Sequence, residues 1–205
     1  MSGFETAAQL KEREDAGRSL AAGPANAPLA IAEEDRLAVE SSHGTVTAAD
    51  VRTLRDTLCA KFSPAQLRLY LAVCARKGVD PFTEAYGFPN SDGGLAFGLR
   101  IDGMRALAMR TGDYLSRSVE TILVPEGDHK GELQGARATV VRKGMTAPVV
   151  EEAWMAEYNR GGGRGWAQFP ETMIRKVAES KALRAAFPDA LSGVYEPAEL
   201  SEGRD

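Results

Sequence analysis

The residues of this sequence whose types could do chemistry lie mostly between positions 154 and 187. Aromatic and basic side chains alternate in the first half of this segment, and a predicted helix rich in cations follows. The aromatic residues are Trp154, Tyr158, Trp166 and Phe169, and the basic residues are Arg160, Arg164, Arg175, Lys176, Lys181 and Arg184. Single-stranded nucleic acids are bound by such mixtures, because cations contact phosphates and each base stacked on a ring contributes roughly 1–3 kcal/mol. The segment therefore predicts a surface for single-stranded nucleic acid.

Ordinary packing is an alternative role for the same residues. Trp154 and Tyr158 alternate on a predicted strand, where aromatic side chains more often belong to the core. Arg175 and Glu179 are four residues apart and can form a surface ion pair on a helix. The four basic residues of the last helix do not fall on a single stripe. Composition and spacing alone leave both roles open.

The chain carries none of the short motifs that mark common catalytic sites. Glycines 161–163 are followed by Arg164, Gly165 and Trp166, whereas a phosphate-binding loop needs a Lys-Ser or Lys-Thr pair that opens a helix. The acidic residues are scattered singly, and neither histidine has neighbours that suggest nucleophilic catalysis. We therefore expect a protein that is not an enzyme and needs no cofactor. Dispersed acids such as Asp102 leave a metal-dependent DNA-processing enzyme as an alternative.

Simple structural roles account for the remaining polar motifs. Asp102 is predicted to be a helix N-cap rather than a metal ligand. The run 80–82, Asp-Pro-Phe, is predicted to be a turn between a helix and a strand. With two cysteines and two histidines in the whole chain, we expect neither a disulfide framework nor a zinc site.

Hydrophobic spacing predicts helices first, then a cluster of strands, then one long helix. Thr47 is the expected N-cap of a helix whose apolar face continues to Leu58, and Ser63-Pro64 opens a second helix that ends at Gly78. The predicted strands are 85–88, 95–101, 116–124, 136–142 and 149–158, with a short helix after Asp102 and the long helix at 171–187. This order indicates an α+β fold.

The central part of the chain is mildly basic although the whole chain is acidic. Residues 1–50 carry 4 basic and 9 acidic side chains, residues 51–195 carry 20 and 16, and the last ten carry 1 and 4, for a net charge of −4. A basic body suits a nucleic-acid binder, although ordinary surface variation gives the same balance. No apolar run is long enough for a membrane span and the first residues lack a secretion signal, which predicts a cytoplasmic protein.

Several blocks of the sequence occur in a recognisable order. They are Cys74-Ala-Arg-Lys-Gly-Val-Asp-Pro-Phe82, Ile101-Asp-Gly-Met104 ahead of Ala108-Met-Arg-Thr-Gly112, and Trp166-x-x-x-Pro170-x-x-Met173-Ile-Arg-Lys176 running into Ala182-Leu-Arg184-Ala-Ala-Phe187-Pro188 and Gly193-Val-Tyr195. Together they resemble the RecT/Redβ (Bet) family of phage single-strand DNA annealing proteins over roughly residues 47–197. Spaced blocks in the right order are harder to meet by chance than any one block.

The resemblance implies a fold, an activity and partners. The fold would be a curved antiparallel β-sheet packed by helices. The activity would be binding of single-stranded DNA and annealing of complementary strands in homologous recombination, without ATP. The protein would act as a homo-oligomer, a ring or a helical filament, that also holds the annealed duplex intermediate. A phage exonuclease or a host single-strand-binding protein would be a further partner.

The resemblance also implies which residues contact DNA. Arg175, Lys176 and Arg184 match the basic positions of the family's final core helix, and Lys181 lies on the same helix. Trp166 matches the aromatic residue before it, although a packing role is equally good. Arg160 and Arg164, in the glycine-rich connector, complete the predicted DNA-binding set. Glu171, Thr172 and Val177 are departures, because they stand where some members carry basic residues.

The domain prediction follows from the same blocks. We expect a flexible N-terminal arm at 1–45, the annealing domain at 46–197 and an acidic tail at 198–205. A protein that coats single strands without annealing them needs the same groove, so the residues do not separate the two functions. Only the family resemblance favours annealing.

Overall fold

The computed structural model of the chain describes residues 39–41, 44–90, 93–159 and 163–200. The chain divides into two compact units, Met1–Arg36 and Leu37–Asp205, and all the described residues belong to the second. Most of the predicted arm at 1–45 and most of the predicted tail at 198–205 lie outside the described residues. The predicted domain boundaries therefore stay predictions.

Helices and antiparallel strands alternate along the chain ahead of one long helix. The strands are β1 (Val39–Ser41), β2 (Gly44–Val46), β3 (Ala85–Pro89), β4 (Leu95–Leu99), β5 (Tyr114–Leu123), β6 (Leu133–Arg142) and β7 (Val149–Trp154). The helices are α1 (Ala48–Asp56), α2 (Pro64–Lys77), α3 (Ile101–Arg110), α4 (Met155–Tyr158), α5 (Arg164–Gln168), α6 (Pro170–Ala186) and α7 (Pro188–Leu191), with a 3-10 helix at Pro197–Leu200. β1 pairs with β2, β3 pairs with β4, and a three-stranded sheet has the order β5-β6-β7. This arrangement confirms the predicted α+β fold.

The first two helices begin at the residues that the sequence predicts. The Thr47 hydroxyl accepts from the Asp50 N–H, and the Asp50 carboxylate accepts from the Thr47 N–H at 2.8 Å. Ser63 and Gln66 form the same reciprocal pair at the start of α2. Such capping boxes satisfy backbone N–H groups that have no partner within the helix. Gly78, at φ 63°, ends α2 in the left-handed conformation that glycine adopts without strain.

Helix α1 is shorter than its apolar spacing suggested. It ends at Asp56, and its buried residues are Val51 and Leu54. Leu58, predicted on the same face, lies beyond the helix and is 53% exposed. The prediction for Leu58 was wrong because periodicity places a side chain on a face only while the helix continues.

The turn predicted around Asp80 joins α2 to β3. The Asp80 carboxylate accepts from the Phe82 N–H at 2.8 Å, as in an Asx turn. Arg110, the last residue of α3, donates to the Gly78 carbonyl at 2.8 Å and to the Glu84 carboxylate. These bonds fasten α3 to the end of α2 and to the turn.

The main core lies between helix α6 and the three-stranded sheet. Ala136, Ala138 and Val140, alternate residues of β6, are fully buried on the face that α6 covers. The buried residues of α6 include Ile174, Val177, Ala178, Ala182 and Leu183. Small side chains on both elements let helix and strand backbones lie close, so the core packs densely.

Two predictions are corrected at element ends. The strand predicted at 149–158 ends at Trp154, and α4 takes its last four residues. Asp102 is not an N-cap, because α3 begins at Ile101 and its N-cap residue is Arg100. The Asp102 carboxylate instead binds Arg105, one turn further along the helix, at 2.7 Å.

Candidate nucleic-acid interface

A groove of about 600 Å³ lies where α3, β5 and α6 meet. Its lining includes four basic side chains, Arg105, Arg117, Arg175 and Lys176, and three acidic ones, Asp102, Glu171 and Glu179. None of the described residues that line it is aromatic. We call it the basic groove. Two of the seven residues predicted to bind DNA, Arg175 and Lys176, belong to it.

The helical repeat of α6 and the alternation of side chains on β5 place charged residues at the groove. On α6, Glu171, Arg175 and Glu179 are spaced by four residues and form one stripe along the helix. On β5, Arg117 is paired with Val140 of β6, which is buried on the face that α6 covers. Paired residues of an antiparallel ladder point to the same side, so Arg117 faces α6.

Glu179 lies at the base of the basic groove and joins its three elements. Its carboxylate accepts from Arg105 Nε at 2.6 Å and from Arg105 Nη2 at 2.7 Å, a bidentate pair. Arg117 Nε lies 3.0 Å from the same carboxylate. The Glu179 side chain is only 4% exposed, whereas both arginines are about one-third exposed. One buried anion therefore holds two cations that reach towards solvent.

The hydrogen bonds that the Arg105 guanidinium donates to Glu179 raise the pKa of Arg105 above its already high ordinary value. Asp102, which is 81% exposed, binds the same guanidinium through Nη1 at 2.7 Å. Arg105 thus keeps its charge at any practical pH. Its Nη1 contacts the Asp102 carboxylate, which is exposed to solvent.

Arg175 lies over the edge of strand β5. Its Nη2 donates to the Val119 carbonyl at 3.0 Å, and its Nη1 lies 3.4 Å from the Glu171 carboxylate. Glu171 also accepts from the Thr121 hydroxyl at 2.8 Å. The alternative pair of Arg175 with Glu179 does not form, because Glu179 is occupied by arginines of α3 and β5.

Lys176 is half-buried at the groove. Within the part of the chain that the structure describes, its ammonium has no hydrogen bond or ion pair. An ammonium that has neither a hydrogen bond nor an ion pair of this kind is available to a phosphate, which it binds as a point charge.

The other two basic residues predicted on α6 have protein partners. Lys181 donates to the Glu152 carbonyl at 2.5 Å and lies 3.5 Å from the Glu151 carboxylate, both on β7. Arg184 forms a bidentate pair with Glu199, at 2.6 Å for each bond, and lies 4.9 Å from the centre of the Tyr195 ring. Neither lines the basic groove, so their contact with DNA stays a prediction.

The predicted residues of the connector are spread apart. Trp166 is 2% exposed and belongs to the core, as the packing alternative expected. Its ring would have to leave the core to stack on a base. Arg164 is exposed on α5, and Arg160 lies outside the described residues. Whether these three contact DNA also stays a prediction.

Sequence reasoning missed Arg105, Arg117 and Glu179 as groove residues. Arg117 carried a usable signal, because it precedes Val119 by two positions on a predicted strand and so shares its apolar face. A cation on the buried face of a strand needs an anion nearby, and Glu179 meets that need. The identity of the anion could not be read from the sequence, since 62 positions separate residues 117 and 179.

A metal-dependent enzyme, the alternative drawn from the dispersed acids, would need several ligands at one place. Among the described residues, no group of three or more His, Cys, Asp or Glu side chains is placed to hold a metal ion. Asp102, the acid named for that alternative, binds Arg105. In the same part of the chain, no helix has the length and apolar character that crossing a bilayer requires.

An α+β domain with a cationic groove, whose described lining residues include no aromatic ring, has the character of a protein that holds nucleic-acid backbone. The model of the RecT family matches residues 44–205, and the chain belongs to this family. Membership makes it a DNA-recombination protein of the phage type, concerned with single-strand annealing. No curated protein matches the sequence.

Proposed function

We propose that this protein binds the backbone of single-stranded DNA in the basic groove and anneals complementary strands without ATP. The observation that carries the proposal is the meeting of Arg105, Arg117, Arg175 and Lys176, from three elements, in one groove. Phosphate contacts supply affinity that does not depend on sequence and that weakens with salt. Family membership supports strand annealing as the outcome.

The composition of the groove suits annealing. Its described lining has cations for phosphates and no aromatic ring to stack on bases. A strand held by its backbone keeps its base edges free, so a complementary strand can pair with it. From the family we also propose assembly into a ring or filament, which would extend the groove over many nucleotides. A phage exonuclease or a host single-strand-binding protein is the proposed partner that recruits the protein.

The test measures annealing of two complementary dye-labelled oligonucleotides without ATP, across a salt series, beside a noncomplementary pair. We expect acceleration for the complementary pair alone. Tight binding without acceleration would favour a coating protein. Absence of binding at low salt would exclude the proposed function, and metal-dependent cleavage would favour the processing enzyme.

A double variant tests the groove itself. Arg175→Gln with Lys176→Gln removes two cations from the lining, and we expect binding to weaken with a salt slope about 1.4 smaller, at roughly 0.7 per lost phosphate contact. The matched control is Arg52→Gln with Lys61→Gln, which removes the same charge from exposed positions on and after α1. Equal weakening by both pairs would show that net charge matters and the groove does not.

A further inference from the structure

We infer that Glu179 is a positioning residue, which fixes Arg105 and Arg117 in the orientation that receives DNA phosphates. The inference rests on the proposed function of the basic groove and adds a residue that would not itself touch DNA. An anion in a groove for a polyanion should oppose binding, so its presence at the base needs an explanation.

The Glu179 carboxylate contacts both arginines and restrains their orientation. It accepts two N–H groups of Arg105 and lies 3.0 Å from Nε of Arg117. A guanidinium carries five N–H donors in a rigid plane, so fixing Nε fixes the direction of the others. The Arg117 Nη groups donate no hydrogen bond to any of the described residues. They remain available for a phosphate.

Burial of the Glu179 carboxylate keeps it paired with Arg105 and Arg117. The Glu179 side chain is 4% exposed, and a buried carboxylate is stable only while it is paired. Two like-charged guanidiniums also stay close together only because they share an anion. A phosphate that arrives from solvent cannot replace Glu179 without leaving its charge buried and unpaired.

The other two acids of the groove differ in this respect. Asp102 is 81% exposed and Glu171 is 59% exposed, and each pairs with one arginine at the surface. Exposed ion pairs contribute little to stability and are screened by salt. A phosphate can therefore displace these carboxylates, and they act as simple competitors for the cations.

The contrast gives a matched pair of variants. Glu179→Gln and Asp102→Asn each remove one negative charge from the same groove and keep the side-chain shape. We expect Glu179→Gln to weaken single-stranded DNA binding about tenfold, as when a charge-assisted contact is lost, with a salt slope smaller by about 0.7 or more. Asp102→Asn should tighten binding with an unchanged slope. The measurement is fluorescence anisotropy of a labelled oligonucleotide from low to moderate salt.

The outcomes separate the inference from the function on which it rests. Tighter or unchanged binding by Glu179→Gln, with the wild-type protein bound in the groove, overturns the positioning role and leaves the proposed function intact. If the wild-type protein does not bind single-stranded DNA, the proposed function and the inference are both overturned. The same holds if the Arg175→Gln, Lys176→Gln double variant binds single-stranded DNA as tightly as the wild-type protein does. If Glu179→Gln does not fold, Glu179→Asp keeps the charge and shortens its reach. Weaker binding by Glu179→Asp supports positioning, and wild-type binding overturns it.

Discussion

Arg175 and Arg184 lie nine positions apart on α6 and have different surroundings. Arg175 is 44% exposed at its side chain and holds Glu171 at 3.4 Å, a loose pair that a phosphate can replace. Arg184 is 21% exposed and holds Glu199, itself 6% exposed, through two bonds of 2.6 Å. At the scale of single residues, Arg175 can therefore exchange its partner for a phosphate, whereas Arg184 has both Nη groups bound to a buried carboxylate.

Arg184→Ala should therefore act on stability. It leaves the Glu199 carboxylate buried without its cation, and breaking such a pair costs about 3–5 kcal/mol. We expect urea unfolding to show a loss of that order, while Arg52→Ala, at an exposed position on α1, stays within about 0.5 kcal/mol. Unchanged stability with weaker DNA binding would instead make Arg184 the DNA contact that the family resemblance implies.

Glu196 should make stability depend on pH. It is 3% exposed, and burial raises its pKa from 4.5 to about 7, against the opposing effects of the Ala198 N–H and Lys176. Between these values the folded protein keeps a proton that the unfolded chain releases. The free energy of unfolding should thus fall as pH rises from 4.5 to 7, by up to about 3 kcal/mol, and then level off.

Glu196→Gln removes the titrating group and should flatten this part of the pH profile. The measurement is urea unfolding of both proteins from pH 4.5 to 8, with the difference between them taken at each pH. A constant difference across the interval would contradict the raised pKa.

Helix α6 contributes residues both to the core and to the basic groove. Its inward positions, such as Ile174 and Ala178, are buried against the sheet, while Arg175 and Lys176 line the basic groove. Its cations do not form a single stripe on the helix, and the structure gives the reason. Arg175 and Lys176 serve the groove, whereas Lys181 holds β7 and Arg184 holds the 3-10 helix at Pro197–Leu200.

Helix α3 reaches the groove because Gly103 lets it lie against the chain before β3. A Cβ at this position would be 2.7 Å from the Glu84 carbonyl oxygen and 2.9 Å from the Glu84 Cβ. Gly103→Ala should cost about 1–3 kcal/mol from overpacking, although alanine favours a helix by about 1 kcal/mol. The matched control is Gly165→Ala on α5, where the nearest atoms belong to the flexible Met173 side chain at 3.4 Å. Thermal unfolding compares the two, and equal shifts would contradict the close approach.

At the scale of the whole molecule, an acidic protein carries a cationic site. The net charge is −4, yet four of the seven charged side chains in the groove lining are basic. Local charge governs contact with a phosphate, because ions screen charges that lie farther away than about 10 Å at 0.1 M salt. Overall charge was therefore a poor guide to the ligand.

The sequence by itself determined the local structure and the family. Thr47, Ser63 and Gly78 mark helix ends through bonds within a few residues, and alternation and helical spacing predicted the α+β order. The ordered blocks indicated the family that the match over residues 44–205 shows. Errors such as Leu58 fell at element ends, where local signals are weakest.

Only the tertiary structure decided which charges meet. Arg105 and Glu179 are 74 positions apart and touch at 2.6 Å. The sequence could name Arg175 and Lys176 because they share one helix, but not the arginines that α3 and β5 bring beside them. The physical reason is that caps and periodicity depend on neighbours along the chain, whereas an ion pair between elements depends on how those elements pack.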